Sequence, residues 1–395
     1  MKALALAGVV CLGLGPLVAG ARAQDEVSVE RGTGVVPKTM TAKEAQGAER
    51  RALAWLVGFQ NADGSFASPV IESVLEDNFA HETYYAWQVA SSGLAIRALL
   101  AVDETPERRA ALDAAALWFV TTRVPKRGST WDVDYVWTMV YGLDACVALA
   151  GDPRFAEGDW PAKIAARGKA FVDLLDRNQS YRGGWGYYDD PPFTQRPKWG
   201  TVFSTAPVLA PLKKAIELGW SDDVEATKKT LARAYEYVQR CALPNGAYAY
   251  DLSIVPRVGG ESINDVKGSL GRIQVGNWSR RMMGDERVTD DTLREGLTTF
   301  FEEHKYLDAA FMRPIPHEAY YQNAAYFYHF GHFYASEAIK LLPKEERAAW
   351  HAQLRPQLIK TQREDGSLTD FLGTGYLRVA STAFTILALE AGKDD

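Results

Sequence analysis

The chain is poor in cysteine and histidine, with 3 and 6 among 395 residues. Cys11 falls within an apolar N-terminal run, so only Cys146 and Cys241 remain, too few for a disulfide scaffold. Cys146 lies among alanine and valine in a helical stretch, where a buried thiol is expected, and a Cys146–Cys241 bridge stays open. Basic residues are outnumbered, 44 Lys and Arg against 50 Asp and Glu. With no basic cluster, that balance argues against a nucleic-acid partner. Beyond the first two dozen residues no apolar run is long enough to span a bilayer. Nucleophile-elbow, phosphate-loop and dinucleotide fingerprints are absent, and His81-Glu82 lacks the second histidine of an H-E-x-x-H zinc motif.

The N-terminus reads as an export signal. Lys2 gives the positive start, Ala3–Leu17 the apolar run, and Ala21-Arg22-Ala23 a small-residue cleavage site. Residues 1–23 are therefore expected to be removed, giving a secreted or periplasmic protein. Residues 24–43 read as a polar N-terminal extension. Residues 44–395 are expected to form a single domain, ample for a large core.

What is abundant is aromatic residues, 11 Trp, 18 Tyr and 16 Phe, many beside glycine. The stretch Asn178–Asp190 (NQSYRGGWGYYDD) has weaker copies at Gln60–Phe66, Cys241–Asp251 and Gln362–Leu368. Counting from Gln60, Gln179, Cys241 and Gln362, the gaps are 119, 62 and 121 residues, one or two steps of about 60. Between these joints a charged helix is followed each time by one rich in Ala, Gly, Ser and aromatics. Six such pairs emerge: about 41–59 with 83–101, 108–123 with 135–150, 163–178 with 202–218, 224–240 with 268–283, 290–306 with 321–342, and 345–362 with 378–391. Pro207 and Pro211 predict a kink in the sixth helix. A helix apolar on all sides needs neighbours all around it. The expected fold is all-α, an (α/α)6 toroid of six helical hairpins with about 60-residue repeats, the inner helices surrounding a funnel.

The Q-x-x-x-G turns, Gln60–Phe66, Gln179–Trp185 and Gln362–Leu368, resemble those of the squalene-cyclase and protein-prenyltransferase repeat superfamily. Tyr376–Glu390 is similar to that superfamily's last inner helix. The resemblance implies the toroid but not its chemistry. Cyclases of the superfamily carry an acidic D-x-D-D. The nearest stretch here, Trp131-Asp132-Val133-Asp134-Tyr135, lacks the last carboxylate. Asp132 and Asp134 either share a raised proton affinity as an acid or cap the helix that follows. The prenyltransferases hold zinc through a D-x-C context, and neither Cys146 nor Cys241 has one.

Three groups of residues break the repeat. The first is His317 and Glu318, followed by Tyr321, Tyr326, Tyr328, His329 and His332. His329 and His332 share a helix face, and His317 is placed to fold back toward them. The group suits acid–base chemistry, a zinc ion held by His317, His329 and His332, or simply satisfied wall histidines. No cofactor is required by the sequence. The second is Tyr187, Tyr188, Asp189 and Asp190 with Trp185 and Trp199. Aromatics beside carboxylates suit sugar rings, with Asp132, Asp134, Asp251 and Glu82 as partner acids; the alternative is that they seal repeat interfaces. The third is the 253–267 insertion and the polar inner helix after it, with Arg272, Trp278 and Arg280. If that helix faces the funnel, the arginines attract an anion. The function expected is therefore an exported toroid of unassigned activity binding a small molecule, glycan or extracytoplasmic protein in its funnel. The alternative is an extracytoplasmic glycan hydrolase or lyase using carboxylates, histidines and tyrosines at the mouth.

Overall fold

The charged helices bury one stripe each and most of the smooth ones, His81–Ala101, Leu270–Met282 and Phe327–Ile339 above all, bury nearly their whole perimeter, which sets the architecture. The computed structural model describes residues 38–68, 70, 79–126, 134, 136–187, 199–252, 262–314, 317, 320–371 and 375–395. Hairpin one pairs α1 (Ala42–Gly58) with α2 (His81–Ala101), and hairpin two pairs α3 (Pro106–Thr121) with α4 (Val136–Gly151). Hairpin three joins α5 (Trp160–Asn178) to α6 (Val202–Thr205) and α7 (Leu209–Glu217), and hairpin four joins α8 (Val224–Cys241) to α9 (Leu270–Met282). Hairpin five runs through α10 (Asp290–Glu302) and α11 (Lys305–Ala310) to α12 (Phe327–Ile339), and hairpin six is α13 (Lys344–Ile359) with α14 (Gly375–Glu390). No strand occurs among the described residues, only the isolated bridges Trp185–Thr201 and Ala242–Tyr248.

Local chemistry accounts for the ends. Thr41 closes a capping box on α1, its hydroxyl accepting from the Glu44 N–H while the Glu44 carboxylate accepts from the Thr41 N–H. Thr105 and Asp223 cap α3 and α8 in the simpler way. The expected kink appears as a 3-10 turn over Ala206–Val208 that divides α6 from α7, because Pro207 has no N–H to give the preceding turn. The outer helix of hairpin five also divides, at Glu303-His304, a break that no proline announces. There His304 is buried against His332 of α12.

Burial separates the two layers. In α8 the buried residues Thr227, Thr230, Leu231, Ala234, Tyr237, Val238 and Cys241 recur at three and four, one face of a helix. In α2 every residue from Thr83 to Ile96 is buried. Inner helices touch in the order α2, α4, α7, α9, α12, α14 and back to α2, a closed ring. The axis is filled rather than open. Phe203 of α6 meets Trp137, Phe327 and Phe330, and below it Phe384 of α14 packs against Tyr141, Phe330 and Phe333.

The repeated turn proves to be a clamp between hairpins. Gln60 Nε2 donates to Gly64 O (3.0 Å) and to Ala111 O of α3 (2.8 Å). Gln179 does the same to Gly183 O (2.7 Å) and Thr230 O of α8 (2.7 Å). Gln362 bonds Gly366 O (3.0 Å) and Ala48 O of α1 (2.7 Å), which joins the last hairpin to the first. Gly183 sits at φ +102 with the Arg233 carbonyl only 2.5 Å from where a Cβ would stand, so glycine is obligatory there. Trp185 is 1% exposed and donates its indole N–H to Leu175 O at 3.0 Å. It seals the repeat interface.

Candidate functional site

The repeat itself delivers side chains to the mouth. Tyr187 and Tyr250 each stand four residues beyond a turn glycine, Gly183 and Gly246, and their hydroxyls hydrogen-bond to each other. Phe203 floors the space between them, its ring 5.8 Å from Tyr187 and 5.7 Å from Tyr250. Tyr326, the residue before α12, lies over the same floor, 5.9 Å from Phe203. Its hydroxyl is 2.9 Å from His317 Nε2, and His317 Nδ1 is 2.7 Å from the Gln322 carbonyl. That carbonyl accepts only from an N–H, so in the neutral ring Nδ1 carries the proton and Nε2 offers its lone pair to Tyr326.

Arg272, in the first turn of α9, completes the cluster. It is 1% exposed, and its guanidinium lies 5.4 Å from the Tyr250 ring and 5.6 Å from Phe327. Nε donates to Tyr248 O at 3.2 Å and Nη2 to Ile263 O. Trp199 donates its indole N–H to Asp251 (2.9 Å) and meets Tyr187 edge-on at 5.1 Å. Asp134, half-buried just ahead of α4, receives the chain through its own N–H, which donates to Tyr187 O at 2.7 Å.

Burial governs the electrostatics. It pushes the Tyr250 and Tyr326 phenols well above their ordinary range, reinforced for both by Tyr187 and for Tyr326 by the Asp134 charge. It pulls the Arg272 guanidinium down to about 10. The backbone is also unusual here. Of the six non-glycine residues at positive φ among those described, five (Asp134, Met312, His317, Tyr321 and Gln322) lie in the segments leading to α4 or α12, and the sixth is Ala67 after α1. Such conformations cost about 1–3 kcal/mol apiece and concentrate where side chains must be aimed.

The structure thus gathers Asp134, Trp199, Arg272 and His317 at one mouth. Tyr321 lies just ahead of α12, with its ring 4.9 Å from Tyr306 and 5.4 Å from Lys267 Nζ. The others stand elsewhere. Tyr328 donates to Gln357 O of α13 (2.8 Å), within the wall between layers. Trp278 packs on Tyr334 at 5.2 Å, six residues and about 9 Å down α9 from Arg272. Arg280 is ion-paired with Asp285 at 2.8 Å and bonded to the Tyr248 hydroxyl. Glu82 is gripped by Arg123 and by the Lys126 N–H. Asp132, Tyr188, Asp189, Asp190, Glu318 and residues 253–261 of the insertion lie outside the described residues, as do residues 1–37.

The three-histidine zinc site is corrected by the geometry. His317 faces Tyr326, His329 Nδ1 is 3.1 Å from the Thr385 hydroxyl, and His332 Nε2 is 2.9 Å from His304 Nε2. Their rings point in three directions. Among the described residues no three His, Cys, Asp or Glu side chains converge on a metal position. Sharing a face at a spacing of three did not make His329 and His332 partners, because one turns to α14 and the other to the outer layer. Cys146 and Cys241 are unbridged and buried.

Asp370 escaped the sequence reading. It stands four residues past Gly366, the register of Tyr187 and Tyr250, and so was findable by aligning the turns. It is 2% exposed, its Oδ2 accepts from the His329 N–H at 3.3 Å, and burial pushes its carboxyl up to about 7. It serves as a distant cap for α12.

No family model matches the sequence, and no relative was found among curated proteins. The fold, an α/α toroid of helical hairpins, is shared with several solved structures. An unsaturated glucuronyl hydrolase from Streptococcus agalactiae superposes with a TM-score of 0.56 at 12% identity, covering 91% of this chain and 94% of that one. An inactive variant of an alpha-1,6-mannanase from Salegentibacter, in complex with alpha-1,6-mannotetrose, gives 0.53 at 11% identity, covering 88% and 98%. A cellobiose 2-epimerase from Spirochaeta thermophila gives 0.53 at 13% identity, covering 88% and 96%. At these identities the likeness is one of fold.

Proposed function

We propose that this protein is an extracytoplasmic glycan-processing enzyme working at the mouth of the ring. The observation that carries the reading is the hydrogen-bonded chain from the Tyr326 hydroxyl through His317 to the Gln322 carbonyl. A phenol backed by an imidazole is a proton-transfer pair, and the carbonyl behind it fixes which ring nitrogen works. Burial holds Tyr326 in its protonated form at neutral pH. When His317 carries a proton on both nitrogens, Nε2–H donates to the phenol oxygen, so Tyr326 can pass its own proton to an oxygen leaving a sugar while the imidazolium replaces it and becomes the neutral ring. Asp134 is the described carboxylate that acts electrostatically on Tyr326. Trp199, Tyr187 and Phe203 supply flat apolar surface for sugar faces.

The names of the fold neighbours favour glycan chemistry over bare ligand capture: a glucuronyl hydrolase, a mannanase and a cellobiose epimerase. Fold alone does not assign activity, so the weight rests on the Tyr326–His317 pair. The test is to incubate the purified chain with a panel of neutral and acidic polysaccharides and follow new reducing ends and ultraviolet absorbance. Depolymerisation that Tyr326→Phe abolishes, in a folded variant, supports the reading. An unreactive panel, or full activity in Tyr326→Phe, overturns it.

A further inference from the structure

The break in the outer helix of hairpin five carries a buried histidine pair that the proposed chemistry does not use. His304, 5% exposed, stands between α10 and α11, and His332, fully buried, faces it from the second turn of α12. Their Nε2 atoms are 2.9 Å apart. His332 Nδ1 lies 2.7 Å from the Tyr328 carbonyl, which only accepts, so this nitrogen carries a proton. His304 Nδ1 lies 3.1 Å from Asp308 Oδ2, while Asp308 Oδ1 accepts from the Lys360 ammonium at 2.7 Å. An ionised carboxylate likewise only accepts, so His304 Nδ1 carries a proton too. Two neutral rings would then set one lone pair against another across the Nε2 contact. A hydrogen bond there needs a third ring proton, and moving a proton from His304 onto Asp308 leaves that count unchanged. We infer that the His304–His332 pair holds one extra proton between its Nε2 atoms, and that this trapped proton latches the broken outer helix onto α12 and makes hairpin five sensitive to alkali.

Every element packed on the pair bears on its charge. From α11 Asp308 supplies the negative partner, and from the end of α13 Lys360 shares it. On α12 the Tyr328 hydroxyl donates to Gln357 O, and burial lowers His329 to about 3, which keeps that ring neutral. From α10 the Phe300 ring closes the space 4.9 Å from His332, and Glu303 beside the break pairs with Lys305. Burial and the Lys360 charge work against the proton, and the Asp308 bond works for it. The shared contact decides the balance. Losing the first proton leaves facing lone pairs in a packed wall, so that proton leaves above the ordinary imidazole range, whereas a second is refused. The latch joins α11 and α12, the elements flanking His317 and Tyr326, but does not rest on the chemistry proposed for them.

The test is urea unfolding of the intact protein and of His304→Gln across neutral pH. The native parent keeps one proton on the pair, while its unfolded chain holds two below about pH 6.5 and none well above it. In the variant, native His332 is neutral and its unfolded counterpart takes one proton below about pH 6.5. The stability of the parent relative to the variant should therefore be flat in acid. Above about pH 6.5 its folded-to-unfolded ratio should fall about tenfold per pH unit relative to the variant, until the shared proton leaves. Two neutral rings predict the mirror image, a difference that climbs with pH below about 6.5 and is flat above it, and that result overturns the inference. If His304→Gln fails to fold, nitrogen-15 NMR of the unaltered, histidine-labelled protein in mild alkali decides. Two rings joined by a nitrogen–nitrogen coupling, with three of their four nitrogens protonated, uphold the shared proton. Only two protonated nitrogens in the His304–His332 pair overturn it.

Discussion

Replacing Asp370 with asparagine changes a single buried charge and leaves the shape nearly intact. Burial raises this carboxyl from its ordinary 3.8 to about 7 in the folded protein. A raised folded-state value means that the native protein keeps a proton the unfolded chain gives up. The resulting stability is fully present below about pH 4 and lost as pH rises to about 7. The gap is about 3 pH units, and at about 1.4 kcal/mol per unit the loss approaches about 4 kcal/mol as an upper figure. Asparagine never ionises, and its carbonyl oxygen can keep accepting from the His329 N–H that now meets Oδ2. Ser381 is the other polar group acting on this carboxyl, and its hydroxyl oxygen can accept from the asparagine amide. The variant should therefore match the parent near pH 4 and exceed it by a few kcal/mol at neutral pH. Urea unfolding at several pH values, followed by tryptophan fluorescence, measures this directly. His329 and His351, which burial lowers to about 3, destabilise both proteins in acid and cancel in the difference. A difference that is flat with pH, or that shrinks toward neutrality, refutes the argument.

Other expectations follow from the same contacts. Tyr326→Phe should reduce turnover by about a hundred- to ten-thousandfold, the usual worth of one positioned proton donor, with an unchanged circular dichroism spectrum. Gln362→Ala removes two bonds to α1, to Ala48 O and from Arg51, and the turn bond to Gly366 O, and should cost about 1–3 kcal/mol. Hydrogen exchange should rise in both α1 and α13 but not in α8. Burial pushes the Cys241 thiol up to about 12 and the Cys146 thiol higher still, so both should resist thiol reagents in the native protein and react once it is unfolded.

The fold was legible because its signals are local and repeated. Six charged-then-smooth pairs mark the layers, and the spacing of Gln60, Gln179 and Gln362 marks the hairpins that clamp one another. Hairpin four has no such glutamine. Its inner helix supplies the bond instead, Gln274 Nε2 to Gly296 O at 2.9 Å, a substitution across helices that no turn pattern announces. The site was half legible. Residue type and position singled out Arg272, His317, Trp199 and Asp134, but which way a side chain turns is a tertiary fact. His329, His332 and Tyr328 share one short helix with Phe330, and only Phe330 reaches the axis. The breaking of the outer helix at His304 was equally hidden, since the cause is a contact with His332 on another element.

The central claim is that a tyrosine backed by a histidine moves protons on a glycan at the end where the inner helices begin. The most direct measurement is cleavage of a panel of neutral and acidic polysaccharides by the unaltered protein, compared with Tyr326→Phe. The account predicts new chain ends from at least one polymer, formed at least about a hundredfold more slowly by the folded variant. A panel left intact, or equal rates from both proteins, contradicts it.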